Sequence, residues 1–87
     1  MPIPDYQTLM LPLLRFAADG KEHPISEAIT ALSDEFGLSE EERSQTLPSG
    51  LQVVIANRIG WARTYIAKAG LLESPRRGYF KLRRVTL

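Results

Sequence analysis

Cysteine is missing from this 87-residue sequence, and histidine occurs once, as His23. The missing cysteines exclude disulfide bonds, thiolate metal sites and a cysteine nucleophile, and a single histidine excludes a metal site built from several imidazoles. No nucleophile, base and orienting group can be assembled from the residues present, so we expect this chain not to be an enzyme by itself.

Long apolar runs are also missing, since none approaches the roughly 20 residues that cross a bilayer. The first five residues lack the basic-then-apolar order of a signal peptide. We therefore expect a cytoplasmic protein with no membrane partner. Hydrophobic residues make up 44% and charged residues 24% of the chain, which is typical of a soluble globular protein. We expect one domain over residues 1–87.

Charge is divided unevenly along the chain, although the net charge is only +1. Residues 1–56 contain nine acidic and three basic side chains, a net charge of −6. Residues 57–87 contain eight basic side chains and one acidic, a net charge of +7. Such an asymmetry favours nucleic acid or an acidic partner for the second half. The alternative is that the two halves neutralise each other in the fold.

The spacing of apolar residues predicts three helices in the first half. The first covers about residues 5–18, and Pro12 either kinks it or marks where its regular part begins. Ser26 is expected to cap the second helix, and a capping box starting at Ser39 begins a short third one. His23, which precedes a proline, is expected to be a turn residue in an extended connection.

A fourth helix is predicted over residues 57–69, after a loop and an apolar segment that is either extended or the first turn of this helix. Its apolar arc contains Ile59, Ala62, Ile66 and Ala69. Its outward face contains Asn57, Trp61, Thr64 and Lys68. Asn57 is a candidate both for the N-cap and for contact with a ligand.

Strand-like alternation replaces the helical period after residue 70. Residues 71–74 and 79–83 are predicted as a two-stranded hairpin whose turn ends at Gly78. Phe80 and Leu82 must pack against the helices, because an isolated hairpin is marginally stable. The predicted fold is mainly α with a small β hairpin, that is, an α+β winged helix-turn-helix.

Six short segments, spread over nearly the whole chain, also carry a family resemblance. They are Leu11-Pro12-Leu13-Leu14-Arg15, Asp19-Gly20-Lys21, Pro48-Ser49-Gly50, the run from Asn57 to Tyr65, Ala69-Gly70-Leu71-Leu72, and Arg77-Gly78. Together they resemble the N-terminal domain of Mrr-type restriction endonucleases. The most specific of them is the run from Asn57 to Arg63, placed after the Pro-Ser-Gly segment.

The resemblance implies a DNA-recognition domain joined to a C-terminal nuclease domain of the PD-(D/E)xK class in type IV, modification-dependent restriction enzymes. It implies double-stranded DNA as the partner, methylated DNA included. Mg²⁺ is expected only for the nuclease domain, and no cofactor is expected here. The resemblance leaves open whether the protein forms a homo-oligomer. The end of the chain, Arg83 to Leu87, departs from the family pattern, and we expect a fragment cut at a domain edge.

The predicted DNA contacts lie on the fourth helix, expected in the major groove, and on a wing at residues 75–79, expected on the adjacent backbone or in the minor groove. They are Asn57, Arg58, Trp61, Arg63, Thr64, Lys68, Arg76, Arg77, Lys81 and Arg83. Trp61 either stacks on a base or packs against the wing or a neighbouring domain. Arg58 either contacts DNA or pairs with acids of the first half. Six phosphate contacts predict a log–log salt slope near about −5.

Two other functions fit the same sequence. A transcriptional regulator would use the same winged helix as a dimer on an operator. A protein-interaction winged helix would instead work through its acidic first half and Trp61. A nuclease domain in the full-length protein favours the restriction function, whereas a natural stop with a dimerising helix favours the regulator.

Overall fold

The computed structural model describes residues 3–83; the predicted departure from the family pattern at Arg84 to Leu87 lies outside the described residues. The helices and strands, in chain order, are α1 (Tyr6–Phe16), a 3-10 turn (Ala17–Asp19), β1 (His23–Pro24), α2 (Ile25–Glu35), α3 (Glu40–Ser44), α4 (Val54–Lys68), β2 (Leu72–Glu73) and β3 (Tyr79–Leu82).

Helix α1 starts at Tyr6 because Asp5 caps it. The backbone N–H of Thr8 donates to the Asp5 carboxylate at 2.8 Å. Pro12 lies inside the helix with its ring buried. The alternative that the regular part begins near Pro12 is therefore wrong. Burial of the proline ring in the core offsets the single backbone hydrogen bond that proline cannot make.

Helix α2 begins one residue before the predicted cap, so the assignment of Ser26 as N-cap is wrong. The capping position is Pro24, which has extended geometry with φ −68° and ψ 147°. The N–H of Ile25 donates to the carbonyl of Gly78 at 2.9 Å, so the hairpin satisfies the first free donor of the helix. The capping box of α3 is confirmed, with both reciprocal bonds present between Ser39 and Glu42.

The core lies where α1 and α2 pack against α4, and the hairpin closes one end. Its fully buried side chains include Leu9, Leu13, Leu32, Ile55, Ile59 and Phe80. Ile59, Ala62 and Ile66 are buried on the predicted arc of α4. Ala69 is exposed, contrary to the prediction, because α4 ends at Lys68 and Gly70, with φ 81°, turns the chain away.

The hairpin belongs to a three-stranded antiparallel sheet in the order β1-β3-β2, so the prediction of two strands was incomplete. β1 pairs His23 with Phe80 and Pro24 with Tyr79. His23 is thus a strand residue and not a turn residue, because β3 has a free edge that the extended segment before α2 can pair with. The turn glycine Gly78 has φ 81°, as predicted.

The architecture is mainly helical with a small antiparallel sheet, as the sequence predicts, and it is consistent with an α+β winged helix. The wing predicted at residues 75–79 corresponds to the turn of the β2–β3 hairpin. From here on, "the wing" means the whole hairpin with its turn, residues 72–82. Within residues 3–83, no helix is long and apolar enough to cross a membrane.

His23 also anchors β1 through its side chain. Its Nδ1 lies 2.9 Å from Glu27 Oε1, its Nε2 lies 2.9 Å from Asp19 Oδ2, and its ring packs 4.6 Å from that of Phe16. The bond to Glu27, then that to Asp19, raises the pKa of His23 above its ordinary value, although burial opposes the shift. The backbone N–H of Lys21, then the His23 ring, lowers the pKa of Asp19.

We expect the free energy of unfolding to depend on the protonation of His23. A raised folded-state pKa means that the protonated ring stabilises the fold fully below the ordinary value of 6.5, and that this contribution is lost as the pH rises through the folded-state pKa. Urea unfolding at about pH 5.5 and about pH 8.5 should show lower stability at the higher pH. In His23→Gln this difference should shrink; an undiminished difference would assign it to other groups.

Candidate nucleic-acid interface

Helix α4 presents one side to the core and the opposite side to solvent. It begins at Val54, three residues earlier than predicted, because the N–H of Val54 donates to the carbonyl of Gln45 at 2.8 Å. Val53 occupies the capping position in extended geometry. The N-cap role considered for Asn57 is therefore wrong: its N–H donates to the carbonyl of Val53 at 3.0 Å, inside the helix.

A groove of about 540 Å³ separates the C-terminal half of α4 from the wing; we call it the α4–wing groove. Its basic side chains are Arg63, Lys68 and Arg77, and its apolar floor includes Leu72 and Phe80. No ion pair to these three cations exists among residues 3–83. Glu73, whose carboxylate lies 3.5 Å from Lys81 Nζ, also lines the groove. The lining therefore has an excess of positive charge that an external anion can neutralise.

A second depression, of about 520 Å³, follows the N-terminal half of α4; we call it the α4 face. Its polar and aromatic lining includes Gln52, Asn57 and Trp61. Arg63 and Thr64 line both depressions, so the two form one continuous surface. This surface brings together six of the ten predicted site residues: Asn57, Trp61, Arg63, Thr64, Lys68 and Arg77.

Four of the six predicted residues on this surface have contacts within the fold. The Asn57 amide bonds to Gln52, and the Lys68 ammonium lies 5.7 Å from the centroid of the Tyr65 ring. The hydroxyl of Thr64 donates to the carbonyl of Gly60 at 2.9 Å, which leaves its oxygen as an acceptor. Trp61 is 51% exposed, and its ring lies 6.2 Å from that of Tyr65, not against an aromatic ring of the wing. Tyr65 in turn stacks on Tyr6 at 5.0 Å. The outer edge of α4 is thus aromatic as well as basic.

Two arginines predicted to contact DNA have partners within the fold. Arg76 Nε donates to the Glu22 carboxylate at 2.8 Å, and its guanidinium lies 3.8 Å above the Tyr79 ring. Arg58 donates to the carbonyls of Ile3 at 2.6 Å and Pro4 at 3.3 Å, so its first-half partners are backbone carbonyls.

The two remaining predicted residues lie on β3 and just after it. Lys81 Nζ is 3.5 Å from the Glu73 carboxylate of the neighbouring strand. Arg83 is exposed and follows β3 beside Gly70. Neither residue lines the α4–wing groove or the α4 face.

The acidic first half does not neutralise the basic second half through ion pairs. Among the described residues, Arg76 with Glu22 is the single ion pair that joins the two halves. Arg15 pairs with Glu35, and Arg43 with Asp34, inside the first half. The excess positive charge therefore remains on α4 and the wing.

Within residues 3–83, no three acidic or histidine side chains are grouped in a way that could hold a metal ion.

Gln52 is a member of the surface that the sequence did not indicate. The Asn57 amide donates to Gln52 Oε1 at 2.7 Å. A spacing of five residues is not a helical contact distance, so no periodicity marks this pair. The contact arises because the chain before Val54 is held in an extended bridge between Thr46 and Val53.

Comparison with known proteins gives the class of the domain. The family model described as Mrr N-terminal domain matches residues 6–85, and the chain belongs to this family. Over 79 residues it is 35% identical to the type IV methyl-directed restriction enzyme EcoKMrr of Escherichia coli (strain K12). The match covers 90% of this chain and 26% of that protein, so the chain spans about a quarter of its relative's length. No solved structure matches the chain.

Proposed function

We propose that this domain binds double-stranded DNA as the recognition domain of a type IV restriction enzyme. The observation that carries the proposal is the α4–wing groove, where Arg63, Lys68 and Arg77 lie beside an exposed helix face without ion-pair partners among the described residues. Three such cations lining one groove of a small domain favour a polyanionic ligand, such as a phosphate backbone, over a neutral one.

The shape of the surface supports the same assignment. An α-helix with its side chains is about 10–12 Å wide, and the major groove of B-DNA is about 12 Å wide. With α4 in the major groove, Asn57 and Trp61 point toward base edges. Arg63 and Lys68 then lie level with one strand of the backbone, where guanidinium and ammonium groups neutralise phosphates.

The wing contributes through Arg77 at its turn. Arg76, beside it, is occupied by Glu22 and Tyr79, so it positions the turn and leaves the DNA contact to Arg77. Arg77 then lies on the adjacent backbone or in the minor groove, where arginine is favoured by the negative potential. We assign a structural role to the three basic residues with partners in the fold, which are Arg58, Arg76 and Lys81. Arg83 contributes only to the positive electrostatic field of the domain.

The relative's name, a methyl-directed restriction enzyme, suggests the wider context of this domain. We propose that residues 1–87 form one recognition domain and that DNA cleavage, with its Mg²⁺, belongs to a separate nuclease domain. Methylated duplexes are the DNA class to test first. Membership of the Mrr N-terminal domain family favours this function over that of an operator-binding regulator.

The salt dependence of binding tests the proposal. Three phosphate contacts, from Arg63, Lys68 and Arg77, predict a log–log slope of about −3, smaller than the value of about −5 expected from six contacts, because Arg58, Arg76 and Lys81 have partners within the fold. Fluorescence anisotropy with labelled duplexes between about 50 and about 200 mM salt measures this slope. Unmodified duplexes and duplexes with methyladenine or methylcytosine are compared in parallel.

The outcomes distinguish the functions considered. A slope near −3 with any duplex supports DNA binding, and tighter binding to one methylated duplex assigns modification sensing to this domain. Equal affinity for all duplexes places modification sensing elsewhere in the parent enzyme. Absence of binding at the lowest salt concentration would contradict the proposal and favour a protein-interaction role through Trp61 and the acidic half.

A further inference from the structure

We infer that Gln52 and Asn57 act as a preorganised amide pair that reads adenine in the major groove, with Asn57 as the reading residue and Gln52 as its positioning residue. This inference rests on the proposed DNA-binding function. The amide pair lies on the α4 face, the part of the surface that carries no unpaired cation except Arg63. We therefore assign sequence specificity to the α4 face, whereas the cations of the α4–wing groove supply affinity.

The hydrogen bond between the two amides fixes how Asn57 is presented. Asn57 Nδ2 donates to Gln52 Oε1 at 2.7 Å, a short bond for two neutral amides. Asn57 is half-buried at the fourth position of α4, and Gln52 is exposed just before the helix. In helix-turn-helix proteins, the N-terminal residues of the recognition helix are the ones that contact base edges. Asn57 occupies such a position.

Gln52 is itself held in place by the loop that precedes α4. Its carbonyl accepts a hydrogen bond from Leu47 N–H at 2.9 Å, and Thr46 and Val53 form an antiparallel bridge around it. Gly50 N–H donates to the carbonyl of Leu47 at 2.7 Å and closes the turn. Because its carbonyl is bound to Leu47 and the next residue is in the bridge, Gln52 can orient the Asn57 amide at a smaller entropic cost than a residue of an open loop.

The groups left on Asn57 match adenine. Its amide nitrogen has two N–H donors, of which Gln52 accepts one, and its Oδ1 remains an acceptor. Adenine offers an acceptor at N7 and a donor at N6 in the major groove, so a carboxamide binds it through two bonds. Guanine offers acceptors at both N7 and O6, so Asn57 Oδ1 would face another acceptor. The pair therefore favours adenine over guanine.

Selection from a random-sequence duplex pool, followed by competition binding, tests this inference on the 87-residue chain. The wild-type chain should enrich adenine at one position, and replacing that base with 7-deazaadenine, which lacks the N7 acceptor, should weaken binding by about tenfold. Asn57→Ala should reduce the adenine-to-guanine preference by about tenfold. Because Asn57 carries no charge, the log–log salt slope of this variant should stay close to that of the wild type.

Variants at Gln52 separate positioning from folding. Gln52→Leu removes the acceptor and should reduce the adenine preference by about two- to tenfold. Gln52→Glu keeps an acceptor for Asn57 Nδ2 and should retain the preference, even if its added negative charge lowers overall affinity. Gln45→Leu is the matched control, because Gln45 is an exposed glutamine of the same segment. It contacts α4 through its backbone carbonyl, which accepts from the N–H of Val54.

Failure of this inference differs from failure of the proposed function. Salt-dependent binding without adenine enrichment, or an unchanged preference in Asn57→Ala, overturns the amide-pair inference and leaves DNA binding standing. A loss of preference in Gln45→Leu as large as in Gln52→Leu also overturns it, since the effect would then belong to the loop in general. Absence of binding to every duplex overturns both.

Discussion

Replacing Phe80 with alanine is expected to lower the free energy of unfolding by about 3–5 kcal/mol. Phe80 is 1% exposed, lies at the centre of the sheet on β3, and packs 6.2 Å from the ring of Phe16. It is the fully buried side chain through which β3 joins the helical core. A small domain has a total stability of about 5–15 kcal/mol, so this single change removes much of it.

Urea unfolding followed by circular dichroism measures this loss. Phe80→Leu keeps more of the buried apolar volume and should cost less than Phe80→Ala. Leu71→Ala is the control for an exposed apolar residue just before the wing. Leu71 is 41% exposed, so this change should alter the stability by about 0.5 kcal/mol or less. A loss in Phe80→Ala no larger than that in Leu71→Ala would show that the wing does not depend on this anchor.

Replacing Arg63, Lys68 and Arg77 together with alanine is expected to weaken duplex binding by at least about 100-fold at low salt. Each side chain lines the α4–wing groove and lacks an ion-pair partner among residues 3–83, so each is available to a phosphate. The log–log salt slope should fall by about one for each cation removed. The fold uses none of the three in an ion pair, and the contact of Lys68 with the exposed Tyr65 ring is worth about 0.5–1 kcal/mol, so the free energy of unfolding should change little.

A charge-matched triple variant controls for the overall field of the domain. Arg15→Ala, Lys21→Ala and Arg43→Ala remove the same three positive charges from the first half, and none of these residues lines the α4–wing groove. Binding should weaken far less in this variant than in the groove variant. Circular dichroism must show that both variants are folded, because Arg43 donates to the Leu38 carbonyl and to Asp34. If both folded variants lose affinity equally, binding depends on net charge alone and the groove is not the DNA site.

The arginines show how much of the candidate site can be predicted from the sequence. The excess of basic residues after Asn57 correctly locates the positive surface on α4 and the hairpin, because few acidic residues follow in the chain. From the sequence, Arg76 and Arg77 are equally good candidates for DNA contact. In the folded chain, however, Arg76 bonds to Glu22, which is 54 residues away. A partner at that separation leaves no local pattern, so only the folded chain distinguishes the two side chains.

The sequence by itself determined the order of the helices, the hairpin with Gly78 in its turn, the outward face of α4 and the family resemblance. The structural features depend on residues close in the chain, through helical spacing, strand alternation and turn chemistry, and the resemblance depends on short segments read directly from the sequence. Only the tertiary structure decided the start of α4, the third strand at His23, the pairing of Gln52 with Asn57 and the choice of free cations. Each of these depends on chain packing, which satisfies backbone donors and charges with partners that sequence spacing does not reveal.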